Sequence, residues 1–233
     1  MKNNEKWNCF FRCLYFYLVL LKIFIKLLKL KFKINKNLEH INMKVSSKAK
    51  GLIFDCDGTL ANTMPIHWQA WREAFMTFGA DCPLEFLREL SGIPSECIVK
   101  HYNERFEKNL DAKSVAKFKN ELVREKLLFA TPVVPVVDIV KMYKGKLPMA
   151  VASGGTKLNV HNTIKAIGLD GFFKAIITAD NKVKPKPSPD IYLEAAKLIK
   201  VPARFCQVFE DGNAGIESAK KAGMIITDIR PFV

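Results

Sequence analysis

The chain has 233 residues, 49% of them hydrophobic, which excludes a disordered chain and suffices for one α/β domain, or for a core carrying a small second domain. The formal net charge of +14 divides equally, with +7 in residues 1–42 and +7 in the rest. This modest excess outside the N-terminal segment suits an enzyme for anionic substrates, and we expect no nucleic-acid partner.

Residues 1–42 form a basic and apolar extension. Its uncharged run, Cys13–Leu21, is followed by lysines at helical spacing: Lys22, Lys26, Lys29 and Lys33. A membrane-spanning helix needs roughly 20 apolar residues, so the pattern favours an amphipathic helix lying on an anionic membrane surface. The segment is also rich in Lys, Asn, Phe, Leu and Ile, as translated AT-rich DNA would be. This composition equally favours a second interpretation, in which Met43 is the native start. Membrane contact is expected only if the extension is genuine.

Six cysteines are scattered along the chain without C-x-x-C pairs or nearby histidine clusters: Cys9, Cys13, Cys56, Cys82, Cys97 and Cys206. This spacing indicates reduced, mostly buried thiols and no zinc site. We therefore expect a reducing, cytoplasmic compartment and a monomeric enzyme.

The elements that follow residue 43 predict an α/β fold. The apolar run GLIFD (51–55) predicts a buried parallel strand. Residues 65–130 show helical periodicity, with helices expected at 66–78, 84–90, 95–106 and 114–129. Strands at 147–152, 175–178, 206–209 and 224–227 then alternate with helices at 157–167, 189–199 and 214–222.

This alternation predicts a Rossmann-like parallel sheet with helices on both faces, and a small all-helical cap inserted after the first strand. The predicted catalytic core comprises residues 43–64 and 132–233, and the predicted cap residues 65–131. Open α/β sheets bind ligands at the carboxyl ends of their strands, and four groups of polar residues fall at such ends.

The first group is Asp55-Cys56-Asp57-Gly58-Thr59, directly after the first strand. Two carboxylates at i and i+2 around a glycine turn suit a nucleophile and an acid–base pair. A turn-capping role is the ordinary alternative for an Asp pair. Sequences of the form D-x-D-G-T after an apolar strand are nevertheless specific enough to favour chemistry.

The other three groups are individually weaker. Ser153-Gly154-Gly155 offers a hydroxyl and open backbone N–H groups for a phosphate, although such a segment is more often an ordinary loop. A lysine of VKPKPSPD can balance negative charge, and spacing does not choose among Lys182, Lys184 and Lys186. Glu210 and Asp211 are adjacent acids that repel each other unless a cation such as Mg²⁺ is present. The alternative is that Asp211 merely caps the following helix.

Taken together, these groups resemble the haloacid dehalogenase superfamily over essentially residues 48–233. Its four motifs match DCDGT (55–59), ASGG (152–155), KPSPD (186–190) and VFEDGNAGIESAKKAGM (208–224). The helical insert resembles the cap of the β-phosphoglucomutase-like branch, because His67-Trp68-Gln69-Ala70-Trp71 matches its H-x-x-A-W. Stretches 49–75, 135–154 and 222–233 look most like bacterial fructose-1-phosphate and 6-phosphogluconate phosphatases.

The resemblance implies a Mg²⁺-dependent phosphatase for a small sugar or polyol phosphate. It implies that Asp55 forms an aspartyl-phosphate and that Asp57 acts as acid and then as base. It selects Lys186 among the lysines as the charge-neutralising group. It also implies a set of metal ligands and a set of phosphate- or substrate-binding residues: Asp55, the Asp57 carbonyl, Glu210 and Asp211 for the metal, and Thr59, Ser153, Gly154 and His67 for the substrate.

Two other functions remain in view. A sugar phosphomutase of the same branch carries an Arg after the Gly-x-Ser of its cap, whereas Gly92-Ile93-Pro94-Ser95 is followed by none here. A membrane-attached binding protein with a relic core has only the N-terminal extension in its favour. Spacing does not decide which cap residues face the substrate, among His67, Trp71, Arg88, Lys100 and His101.

Overall fold

The computed structural model describes residues 43–233, and the extension predicted for residues 1–42 lies outside them. The sheet has five parallel strands in the order β3-β2-β1-β4-β5. Their bounds are β1 Gly51–Phe54, β2 Met149–Ala152, β3 Ala175–Ile177, β4 Cys206–Glu210 and β5 Ile225–Asp228. The predicted α/β fold with a parallel sheet is confirmed.

Alternate residues of the central strand face two separate apolar clusters, as the twofold period of a strand requires. Leu52 and Phe54 belong to one cluster and Ile53 to the other, and all three are fully buried. Helices α5 (Val134–Tyr143) and α6 (Lys157–Ala166) supply the first cluster, and α7 (Asp190–Ile199) and α8 (Asn213–Lys221) the second. The sheet is thus covered on both faces.

Helix α5 is absent from the sequence-based prediction. Its β-branched run, VPVVDIV, has the composition of a strand, and Pro135 lies in its first turn. A proline there lacks only an N–H that a helix start leaves unpaired. Because Val136 and Val140 are fully buried against the sheet, tertiary packing decides the conformation.

Between β1 and β2 the chain forms a helical segment, residues 64–129. Its helices are α1 Met64–Thr77, α2 Leu84–Glu89, α3 Ser95–Phe106 and α4 Ala112–Lys126, followed by a 3-10 turn at Leu127–Phe129. The segment has its own apolar cluster, in which Tyr102 packs between Phe75 and Phe86. The helical content matches the prediction, while the exact domain boundaries stay a prediction.

Within residues 43–233, every helix is too short or too polar to cross a membrane.

We expect Phe54→Ala to lower the free energy of unfolding by about 3–5 kcal/mol, because it empties the centre of the larger cluster. Phe54 is fully buried and stacks on Phe209 with ring centroids 4.8 Å apart. The matched control is Phe129→Ala, since Phe129 is 83% exposed. Urea unfolding measures both, and an equal effect of the two substitutions would contradict the assignment of the core.

Candidate active site

A buried lysine joins the ends of two adjacent strands. Lys186 Nζ donates to Asp55 Oδ1 at 2.6 Å and to Glu210 Oε2 at 3.2 Å. Asp55 directly follows β1 and Glu210 ends β4, which are neighbours in the sheet. Lys186 is 2% exposed, whereas Lys182 and Lys184 are exposed to solvent. The structure therefore places Lys186, and neither neighbouring lysine, among the acidic groups.

Burial and charge act in opposite directions on Lys186. Burial disfavours the charged ammonium, yet the carboxylates of Asp55 and Glu210 raise the pKa of Lys186 well above its ordinary value. Burial and the charge of Asp55 raise the pKa of Glu210 to about 8 and that of Asp211 to about 7. One lysine thus leaves the carboxylates with uncompensated negative charge.

The donor set fits a hard divalent cation. Asp55, Glu210 and Asp211 each offer an oxygen, and these oxygens lie within 4.8 Å of one another. Carboxylate oxygens are the ligands that Mg²⁺ prefers, and a cation would relieve the repulsion that raises these pKa values. Asp211 is not spent on capping, because helix α8 begins after Gly212 without a side-chain cap.

Gly58, the glycine of the first motif, is required because its backbone lies close to the side chain of Asp211. Gly58 has φ +92°, and a Cβ built on it would overlap the Asp211 carboxylate. Thr59, predicted to bind phosphate, donates its hydroxyl to Asp211 Oδ1 at 2.7 Å. The turn after β1 thereby holds Asp211 in place beside Asp55.

The second carboxylate of the first motif has a different environment. Asp57 Oδ1 accepts from Thr63 Oγ1 at 2.7 Å and pairs with His67 Nε2 at 3.1 Å. Burial opposes ionisation of Asp57, but His67 and these hydrogen bonds lower its pKa to about 2. No described side chain donates to Oδ2 of Asp57, so that oxygen is available for proton transfer.

Lys119 completes this group, and the sequence analysis missed it. Its Nζ lies 2.8 Å from His67 Nδ1, so a neutral His67 with its proton on Nε2 satisfies both contacts. Burial and Lys119 lower the pKa of His67, and burial lowers that of Lys119 to about 8. A signal was present, because Lys119 lies four residues from each of the buried Val115 and Val123, on the apolar face of α4.

Asp55 and Asp57 both line one cavity of about 60 Å³. Its wall includes residues from the end of β1, the ASGG loop, the helical segment and helix α6: Asp55, Asp57, Ser153, Gly154, Gly155, His67, Trp71, Lys119 and Asn159. Ser153 Oγ accepts from the N–H of Gly155 at 3.0 Å. The predicted phosphate-binding loop therefore adjoins both acids.

The helical segment lies close to the ASGG loop at a pair of glycines. A Cβ on Gly154 would lie 2.5 Å from the carbonyl oxygen of Gly92, in the turn between α2 and α3. Among the predicted cap residues, His67 and Trp71 line the cavity, whereas Arg88, Lys100 and His101 lie outside its described wall. Arg88 instead stacks over Trp68 at 5.1 Å.

Comparison with known proteins identifies the family of the chain. Residues 52–228 match the family model described as haloacid dehalogenase-like hydrolase. The chain is 37% identical over 180 residues to the fructose-1-phosphate phosphatase YqaB of Escherichia coli, covering 77% of this chain and 96% of that protein. It is 27% identical to a phosphorylated carbohydrates phosphatase of Thermotoga maritima, covering 75% and 82%.

A crystal structure of β-phosphoglucomutase from Clostridium difficile superposes with a TM-score of 0.68 at 25% identity, covering 77% of this chain and 84% of that one.

We expect Lys186→Met to lower the free energy of unfolding by about 3–5 kcal/mol in metal-free buffer, because two buried carboxylates lose their cation. Lys184→Met is the control, since Lys184 is exposed and two residues away. Thermal and urea unfolding in EDTA measure both. An unchanged stability of the Lys186 variant would show that the buried ion pairs are not formed in solution.

Proposed function

This chain belongs to the haloacid dehalogenase-like hydrolase family and is a phosphoric monoester hydrolase, and we propose that it is a Mg²⁺-dependent phosphatase of a small sugar or polyol phosphate. One observation carries the proposal: Asp55 and Asp57 line the same cavity, and each has one oxygen tied by hydrogen bonds. The remaining oxygen of each acid is the one proposed to react.

In the first step, the second carboxylate oxygen of Asp55 attacks phosphorus and forms an aspartyl-phosphate. The bond from phosphorus to the ester oxygen breaks, and Asp57 gives its proton to that oxygen, so the alcohol leaves neutral. Asp57 is ionised in the resting site, where its pKa is about 2, so it takes up a proton from solvent as the substrate binds. The negative charge of an arriving phosphoryl group favours its protonated form.

In the second step, Asp57 accepts a proton from water as that water attacks phosphorus. The bond between phosphorus and the Asp55 oxygen breaks, which releases inorganic phosphate and restores the carboxylate. Lys186 lies 2.6 Å from Asp55 and neutralises charge at the reacting end throughout. Thr63, His67 and Lys119 hold Asp57 in place on the opposite side.

Asp55, Glu210 and Asp211 would hold Mg²⁺, together with the backbone carbonyl of Asp57 that the family resemblance implies. Bound there, the cation would neutralise the negative charge that accumulates on the phosphoryl oxygens. Ser153 and Gly154, at the carboxyl end of β2, are proposed to bind the same oxygens through hydroxyl and backbone N–H groups.

The substrate class is supported by the relatives and by the cavity. The names of two relatives specify fructose 1-phosphate and phosphorylated carbohydrates. The cavity of about 60 Å³ is smaller than the roughly 300–1,000 Å³ of typical ligand pockets. Movement of the helical segment relative to the sheet is part of the proposal, since it would admit a sugar phosphate and exclude water again on closing. The free and buried Cys56, Cys82 and Cys206 support a reducing, cytoplasmic location.

We expect Asp55→Asn to abolish phosphate release from fructose 1-phosphate and 6-phosphogluconate, because an amide cannot form the acyl phosphate. EDTA should silence the wild type, and added Mg²⁺ should restore it. Asp138→Asn, at an exposed position, serves as the control. Circular dichroism checks that the variants are folded. Substantial turnover by the Asp55 variant, or by wild type in EDTA, would refute the mechanism.

We expect Lys119→Met to lower turnover on the order of 100-fold, because Asp57 loses the group that orients His67. The same substitution removes a buried charge and should leave the unfolding temperature unchanged or higher. Lys117→Met, exposed on the same helix, is the control. The expected result is a loss of activity without a loss of stability. Loss of both would indicate that Lys119 has a role in folding instead.

A screen over sugar and polyol phosphates, including glucose 1-phosphate with a bisphosphate primer, separates the two family functions. Phosphate release without isomerisation is the expected result. Efficient isomerisation would assign the chain to the mutases of the same branch.

A further inference from the structure

Tyr192 contacts the acidic cluster, which consists of Asp55, Glu210 and Asp211. None of the four motifs matched in the sequence accounts for its hydroxyl. The side chain is fully buried in the first turn of α7. Its hydroxyl donates to Glu210 Oε2 at 2.8 Å, the same oxygen that accepts from Lys186 at 3.2 Å. Lys186 Nζ also lies 5.1 Å from the centre of the tyrosine ring.

The other side of Glu210 is equally constrained. Its Oε1 accepts from the N–H of Gly212 at 3.2 Å. A Cβ on Gly215 would overlap the Glu210 carboxylate, so only glycine there leaves room for it. Glu210 is 1% exposed. The carboxylate is therefore held by donors on both oxygens, and among residues 43–233 Tyr192 and Lys186 are the two side chains that donate to it.

Packing alone does not explain a tyrosine at this position. The ring belongs to the same buried apolar cluster as Ile191, Ala195 and Ala196, and phenylalanine would keep that ring in place. A buried hydroxyl is costly unless it is hydrogen-bonded. Here its hydrogen bond is made to a carboxylate of the acidic cluster rather than to the backbone.

We propose that Tyr192 is a positioning residue of the active site, which orients the Glu210 carboxylate and thereby sets the affinity of the cluster for Mg²⁺. The inference rests on the proposed function, because it assumes that Asp55, Glu210 and Asp211 bind a divalent cation. Groups that hold a metal ligand by hydrogen bonds commonly change metal affinity when they are removed.

The test is Tyr192→Phe, which removes one oxygen and keeps the ring. We expect Mg²⁺ to bind roughly 10- to 100-fold more weakly, measured by titration calorimetry with Mg²⁺ alone and by the Mg²⁺ dependence of the unfolding temperature. The maximal rate at saturating Mg²⁺ should return close to that of the wild type, because no reacting group is lost.

The matched control is Tyr102→Phe. Tyr102 is 2% exposed, and its hydroxyl donates to the carbonyl oxygen of Asp81 at 2.7 Å within the helical segment. It loses one side-chain hydrogen bond as Tyr192→Phe does, so some loss of stability is expected from both. Only Tyr192→Phe should change Mg²⁺ affinity.

Unchanged Mg²⁺ affinity in folded Tyr192→Phe would overturn the inference while leaving the proposed phosphatase intact. An equal loss of affinity in Tyr102→Phe would reduce the effect to general destabilisation and would overturn it as well. A wild-type protein that binds no Mg²⁺ would remove the proposed metal site, and the role of Tyr192 with it.

Discussion

The burial of several negative charges beside a single ammonium group is the constraint on which this active site depends. Lys186 lies between Asp55 and Glu210 and compensates only part of their charge. In water such carboxylates are stabilised by solvent, but here the buried cluster must find other partners. That need explains why the cluster suits a divalent cation, which would also offset the negative charge of an arriving phosphoryl group.

The sheet order makes this concentration of charge possible. Strands β1 and β4 lie side by side at the centre, so the acids that follow them are neighbours although 155 residues separate Asp55 from Glu210. Lys186 reaches them from the loop before α7, and the ASGG loop follows β2 on the other side of β1. Rigid, fully buried strands thus hold reacting groups whose charges would otherwise drive them apart.

Much of this site was predictable because parallel strands end at one edge, so short motifs after apolar runs identify it. The groups that contact the acids were harder to predict. His67 was found through its motif and Lys119 left only a weak signal on the apolar face of α4, whereas the contact of Tyr192 with Glu210 depends on how a whole helix packs, which local sequence does not contain. Helix α5 was missed for a related reason, since its valines suit a strand until packing against the sheet decides otherwise.

The close approach of Gly92 and Gly154 has a consequence for the boundary between the helical segment and the sheet. No side chain separates the two backbones there, because a Cβ on Gly154 would lie 2.5 Å from the carbonyl oxygen of Gly92. A larger residue at position 154 would therefore push the helical segment and the ASGG loop apart, and widen the cavity that Asp55 and Asp57 line. Substitution at this one position would thus change how the two parts of the enzyme fit together without altering either acid.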